Sequence, residues 1–555
     1  MRTVSLAFAL LLVARGPVLF AQTPVPAKDA APPAPTEPLV ADVHPSPYRG
    51  VIWYRTNIGH QRFDMRDATI LDLISVAYNR QDDGAILGGP TWIDFDRFDV
   101  VAKIASLKLP SYSNDPATLQ NPENPYDQIR PVLQRVLTER FHLTYHTEDR
   151  PLPGYSMTVA KDGAKLGEAK DPTAPSDCKY EQDKSNPGQG TLSCTSQTIT
   201  QFLSNFGGIF PHPVLDHTGL KKSYDFTLKL NFGQIRTRDE YIRAFTDMLR
   251  QQLGLLVAPE TVSQPAIVVD QVDRTPTANP PDLAKLIPAV PDLEFEVATI
   301  KPAADDEPQQ QIRPTGSEIA FGNWPLQALL VMAWQFPTGA MIGDRPPWLN
   351  TVRYSILVKL PPGIDARNVW QDRDLIDNML KKLLVDRFQI KYHWADRTVP
   401  DAYALLPGTP KMKKADPNSR TFCKFGPPDG EKDVRGTPDS PFDNEFHCQN
   451  VTMDQFADVA QSLANSEIKT RVPNKTGLAG SYDFTLFFTS ARKLRADTAA
   501  AAEAAKQAGD ATSTPVGGES IEDAFRKQLG LRLERQTQTF PALVLDHIEQ
   551  TPTEN

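Results

Sequence analysis

The sequence predicts an α+β protein made of two tandem homologous domains. Each domain mixes strands with about four helices and divides into two βαβ-like halves. Three observations predict this. The string "TGLKKSYDFTLKL" at 218–230 returns as "TGLAGSYDFTLFF" at 476–488. Around it, other strings recur in the same order, which is the signature of a tandem duplication. In both copies the apolar residues switch between a period near 3.6 and a period of two, marking helices interleaved with strands.

Taken in order, residues 1–21 read as a secretory signal. Arg2 gives a positive start, Leu6 to Val13 form a short apolar run, and small residues lead to a cleavage site after Ala21. The run is too short to span a membrane, and no later stretch reaches that length; an uncleaved anchor is the alternative reading. Residues 22–38, "QTPVPAKDAAPPAPTEP", form a Pro/Ala-rich linker that cannot bury a core. Copy one then covers 39–279, a second linker 280–292, and copy two 293–555. The expected location is export, to the periplasm or the medium. Formal charge is −9, and losing Arg2 and Arg15 with the signal takes it to −11. With no basic run or basic aromatic stripe, nucleic acid is not an expected partner.

The copies check each other's elements. "GGPTWIDFDRFDVVAK" (88–103) matches "GDRPPWLNTVRYSILVK" (343–359), and "LTERFHLTYHTEDR" (137–150) matches "LVDRFQIKYHWADR" (384–397). Ile70, Leu73, Ile74 and Ala77 follow helical spacing after a capping Asp67, and Leu326, Leu329, Leu330 and Ala333 do so after Asn323. A second helix presents Ile129, Leu133, Val136, Leu137 and Phe141, echoed by Ile376, Leu380, Leu383, Leu384 and Phe388. A third opens on a capping-box pattern, Thr198 with Gln201 and Thr452 with Gln455. A fourth ends at Gly254 and Gly530. In "SYDFTLKL" the residues Tyr224, Phe226, Leu228 and Leu230 alternate with polar ones, as in a strand with one buried face. Copy two adds an Ala-rich insertion at 491–520, expected to be flexible.

Each copy carries two cysteines in the Pro/Gly-rich loop between its second and third helices: Cys178 and Cys194, then Cys423 and Cys448. Four cysteines allow three pairings. Tandem placement in an exported chain favours one disulfide per copy. Zinc is the alternative, disfavoured by wide spacings without CxxC pairs, so no metal and no cofactor are expected.

No HExxH, GxSxG or phosphate-binding loop is present. His212, Asp216 and His217 form a metal-like cluster, but copy two has Thr470, Asn474 and Lys475 there, and a turn explains the residues equally well. His146 with Arg150, and His393 with Arg397, recur in both copies. A His–Arg pair at a strand end suits an anionic group, or is an ordinary sheet-edge pair. Trp92 and Trp348, with Arg97 and Arg353, line a groove or pack on the core. Asp225, Asp483, Asp270 and Asp546 sit at polar-face positions, where paired carboxylates catalyse hydrolysis only at the right separation.

The strings "FEVATIKP", "GDRPPWL", "DRFQIKYH", "TGLxGSYDFTL" and "DHIEQTPTEN" resemble a secreted domain-of-unknown-function family expanded in soil Acidobacteria. The resemblance spans both copies. Members typically carry one copy, so the tandem form departs from the pattern, as do "VADVHP" at the start of copy one and Asn474 where copy one has Asp216. The resemblance carries no activity or catalytic residue. Its fusion in some relatives to a membrane peptidase of the antibiotic-sensing type implies an extracytoplasmic sensing or binding module. The helix–strand order is also similar to small secretin and TonB-receptor N-terminal domains, which are interaction modules. The expectation is therefore a secreted, non-enzymatic binding protein whose partner is an envelope protein or an extracellular small molecule or polymer. An envelope hydrolase using carboxylates or histidines, and a periplasmic assembly subunit, are the rivals.

Overall fold

The computed structural model describes residues 38–554, except 47–53, 81–82, 105–124, 175, 184–188, 211, 232–237, 305–309, 336–345, 367–371, 428–434, 436–439, 465–466, 469 and 509–516. The signal and all but the last residue of the first linker lie outside them. The chain forms two compact units that do not follow the repeat boundary: one holds 71–89 and 108–277, the other 40–70, 90–107 and 278–555.

In the first unit a long antiparallel ribbon joins β6 (Thr144–Val159) to β12 (Leu255–Gln271). The short strands β4 (Ile86–Gly88) and β10 (Val214–Asp216) add to its edges in parallel, giving the order β10-β6-β12-β4. Beyond the ribbon lies the sheet β7-β11-β9-β8, from β7 (Gly167–Glu168), β8 (Asp177–Gln182), β9 (Gln189–Gln197) and β11 (Tyr224–Asn231). Helices α3 (Ile199–Phe206) and α4 (Arg238–Met248) belong to this half. Phe202 and Phe245 bury with Leu192, Leu228, Leu249 and Leu253 in its core. Burying each such side chain contributes about 1.5–3 kcal/mol. Helices α1 (Ile70–Ala77) and α2 (Pro125–Arg135) are tied by Arg130, which donates to Asn79 Oδ1, and by Gln134, which donates to the Ala77 carbonyl.

The second unit contains the first sheet of copy one, order β1-β5-β3-β2, from β1 (Ala41–Pro45), β2 (Arg55–Gly59), β3 (Arg62–Thr69) and β5 (Arg97–Lys103). It also contains all of copy two. There β13 (Val297–Pro302), β14 (Gln311–Thr315), β15 (Glu318–Pro325) and β16 (Arg353–Lys359) repeat that order as β13-β16-β15-β14. Helices α5 (Leu326–Trp334) and α6 (Arg373–Arg387) cover it, with Phe321, Leu329, Ile356, Ile376, Leu380 and Phe388 in the core. A second ribbon pairs β17 (Lys391–Leu406) with β22 (Arg532–His547). The last sheet, β18-β21-β20-β19, comprises β18 (Lys413–Lys414), β19 (Phe422–Phe425), β20 (Asn444–Thr452) and β21 (Ser481–Phe488). It packs with α7 (Met453–Leu463) and a closing helical turn at 521–529.

The fold is α+β, and several local expectations are met. Both capping boxes form, at Thr198 and Thr452. Gly254 and Gly530 take the left-handed conformation that ends a helix. Others are corrected. Each copy has two halves whose main sheets are antiparallel, and in the first unit the parallel pairs are β6 with β10, α3 lying between them in sequence, and β4 with β12. Asp67 and Asn323 are not helix caps: both lie in a strand bulge with φ of 58°. The cysteines lie on paired strands, not in a loop. Part of the insertion, 491–508, is a helix, α8 (Ala491–Ala508), because Ala favours helix and Ser490 receives the Lys493 N–H at its start.

Candidate functional site

Several polar residues shared by the two copies are spent on the backbone. Arg97 donates to the carbonyl of Asp67, and Arg353 donates to that of Asn323 at 3.0 Å. The amide of Asp67 is taken by Asp99 at 3.0 Å, and that of Asn323 by the Ser355 hydroxyl at 3.1 Å. Two groups thus pin each left-handed bulge. The repeated "YDF" has the same logic: Asp225 accepts from Ser196 N–H and Asp483 from Asn450 N–H, both residues being left-handed bulge positions of the neighbouring strand. The amides of Ser196 and Lys170 hold the Asp225 carboxyl below its usual range. In "DHTGL" and "NKTGL" the acceptor oxygen of Asp216 or Asn474 receives both the N–H and the hydroxyl of the following Thr218 or Thr476. An amide serves as well as a carboxylate there, so the change to Asn474 is chemically neutral for the turn.

Arg140 and Arg387 likewise close the copies: each donates to the carbonyl of Thr277 or Thr553, whose N–H returns to the arginine carbonyl at 2.8 Å. Trp92 meets Phe98 edge-on at 6.5 Å, and Trp348 packs half-buried on the copy-two core. The cysteines form Cys178–Cys194 and Cys423–Cys448, each pair directly opposite across antiparallel strands with Cα atoms 4.1 and 4.2 Å apart.

One shared pair is left over. His146 Nδ1 meets Asp270 Oδ1 at 2.9 Å, and His393 Nδ1 meets Asp546 Oδ2 at 2.9 Å. Each aspartate is the bulge residue of its ribbon strand and so reaches diagonally to the histidine on the partner strand. In both copies the histidine side chain is 54% exposed and the aspartate 46%, so neither packing nor a buried backbone group requires them. With the proton on Nδ1, the carboxylate fixes the ring and leaves the Nε2 lone pair as an acceptor. The neighbouring arginines are not brought to the dyads in the same way. Arg150 is paired with Glu148 at 2.6 Å, and Arg397 stands half-buried opposite Phe540. Among the described residues no group of three or more His, Cys, Asp or Glu is placed to hold a metal ion.

Sequence reading missed a second cluster, inside the second unit, where β2 and β3 of copy one meet the start of α6. Arg66 bonds Asp374 at 2.6 Å and Asp64 at 2.7 Å, and Arg62 grips Asp64 with two bonds. Asn57 donates to Asp372 at 3.2 Å, and His60 Nε2 lies 3.2 Å from the same carboxylate. Gln335 bridges Asp374 and Asp377, and Arg373 reaches Asp377 at 3.1 Å. Asp64, Asp372 and Asp377 are buried. Burial pushes Asp377 up to about 6 and raises Asp372. Burial also acts upward on Asp374, but Arg66, the Gln335 and Asp64 hydrogen bonds, and Arg62 outweigh it and hold it low. The signal was available in the repeat: Arg62, Asp64 and Arg66 face Glu318, Ala320 and Gly322 in the aligned copy, a charged strand face without a counterpart.

The fold and the leftover dyads define a two-copy α+β scaffold. The family described as "Protein of unknown function (DUF3738)" matches residues 71–272 and 327–548, so the chain belongs to that family, in two tandem copies. No curated protein and no solved structure matches the chain. No helix among the described residues is long and apolar enough to cross a membrane.

Proposed function

We propose that the chain is an exported, non-enzymatic binding protein whose copies, 39–279 and 293–555, each offer one His–Asp dyad to a ligand. The supporting observation is that this dyad recurs with the same separation and exposure in both copies, while several other shared polar residues are consumed by backbone contacts. The outward Nε2 recognises a donor on the ligand, and the aspartate behind it strengthens that acceptor. Two such sites on one chain suit a repeating extracellular polymer or a two-fold partner, where the second contact adds avidity. The disulfides accord with an oxidising compartment. Hydrolysis is the weaker reading, because the hydrogen-bonded partners of His146 and His393 among the described residues are the aspartates, with no nucleophile or second acid engaged.

The test is thermal unfolding of the full oxidised chain with peptides, cell-wall fragments and glycans. A ligand at about 100 times its Kd adds about 2.7 kcal/mol. His146→Ala with His393→Ala is expected to abolish the ligand-induced shift and leave the unliganded midpoint in place. A shift that survives both substitutions removes the dyads from the site. Turnover of a tested polymer that the double variant loses would replace binding with hydrolysis.

A further inference from the structure

The two copies use the outward face of their first sheet differently. In copy one that face meets α6: Asp64 is buried on it and Arg66 bonds Asp374. In copy two the aligned residues of β15 are Glu318, Ala320 and Gly322. Beside them, Leu357 on β16 is 46% exposed and Val297 on β13 is 55% exposed, while Ile356, Val358 and Ala298 point the other way into the core. Strand register lays this face out in rows. The middle row reads Thr299, Leu357, Ala320, Arg313 across β13, β16, β15 and β14, and a flanking row reads Val297, Lys359, Glu318, Thr315. The opposite flank pairs Lys301 with Ser355 and Gly322 with Gln311.

We propose that this face packs on the same face of a second copy of the chain, about a two-fold axis parallel to the strands and midway between β15 and β16. Such an axis lays β16 of each chain over β15 of the other, row for row. Leu357 then meets Ala320 and the adjacent Gly322, a large side chain over two small ones, which suits sheets packed about 10 Å apart. Lys359 meets Glu318, twice by symmetry. The roughly 30° between aligned sheets leaves the middle row, at the axis, in contact.

Charge selects both the partner and its orientation. About this axis Arg313 falls on Thr299, Lys301 on Gln311 and Val297 on Thr315, so no like charges are opposed. A two-fold axis across the strands at the middle row would set Arg313 against its own copy. Within its own chain Lys359 bonds Glu296 at 2.9 Å, an exposed pair, and its ammonium has further N–H groups for a second carboxylate. Copy one has no equivalent face to offer, since buried Asp64 stands where Ala320 does. One self-complementary face per chain closes a dimer and does not extend into a filament.

The face is smaller than the roughly 20–30 residues a side of a standard interface, so a Kd of about 1–100 μM is expected. Sedimentation of the full oxidised chain across that range should show the mass pass from one chain to two. Leu357→Asp should leave a single chain at every concentration. Lys359→Glu alone and Glu318→Lys alone should each weaken association by about tenfold or more. An equal mixture of those two variants should dimerise as the parent does, because each supplies the charge the other has lost. A purely structural role for either residue would not be repaired by mixing. A parent chain that stays single throughout overturns the proposal, and so does a dimer that Leu357→Asp and Lys359→Glu leave intact. A mixture that fails to recover overturns it too. If Leu357→Asp does not fold, the parent and the mixed charge variants decide.

Discussion

Asp225 accepts the backbone N–H of Ser196 at 2.8 Å, and Asp483 accepts that of Asn450 at 2.9 Å. A carboxylate on the central strand thus holds open a bulge in its neighbour, twice in one chain. Asp483→Ala leaves the Asn450 amide unpaired and is expected to cost about 1–3 kcal/mol in chemical denaturation. Asp483→Asn keeps an acceptor oxygen and should lose clearly less. The Asp225 carboxyl is held low, so its contribution is present at neutral pH and fades as pH drops through the acidic range.

Asn323 adopts φ of 58° in the bulge that Arg353 pins. Asn323→Gly is expected to be nearly neutral, whereas Asn323→Val should cost more than about 1 kcal/mol, because a β-branched side chain resists that conformation. Urea midpoints of the two variants measure the difference; equal midpoints would remove the strain argument.

The two disulfides span 16 and 25 residues. Loops of that length stabilise by about 3 kcal/mol through the unfolded chain. Replacing Cys423 and Cys448 by Ala should lower the calorimetric midpoint, and a reductant should reproduce the loss in the parent chain but add little to that half in the variant.

Asp377 and Asp374 predict opposite effects from the same Asp→Asn change. With Asp377 pushed up to about 6, Asp377→Asn should raise stability at pH 7.5, by about 2–3 kcal/mol at most, and the gain should vanish near pH 4. Asp374→Asn removes a carboxylate held low by Arg66 and should destabilise at pH 7.5, less so in acid. Midpoints across pH 4–8 check both signs. Two curves of the same sign would show that the burial argument fails for one of them.

The repeat made much of the fold readable, because each helix face and cap could be checked against a second occurrence. Thr198 and Thr452 were identifiable as caps since a capping box is a local pattern of side chain and nearby amides. Asp67 is ambiguous in sequence for the opposite reason. An Asp three residues before a helix looks the same whether it caps the helix or bends the strand before it, and only the pairing with β5 decides. The sequence around the cysteines suggests a loop because Pro and Gly dominate it, while the strands form by pairing across the disulfides themselves. His146 and His393 were visible as recurring residues. Their aspartate partners stand more than a hundred positions away and come into reach only through ribbon register. The charged cluster at Arg66 and Asp374 joins residues about three hundred positions apart, so the repeat marks the unusual strand face but not its partners.

The outward face of β3 carries Arg62, Asp64 and Arg66, and the aligned face of β15 carries Glu318, Ala320 and Gly322. A third repeat added after the second, bearing the same acidic helix start, would meet a negative charge and two side chains too small to answer it. Nothing on that strand offers the guanidinium groups that the first junction uses. The symmetry of the duplication has been exchanged for a direction along the chain, with guanidinium groups on the strand of copy one and carboxylates at the helix start of copy two.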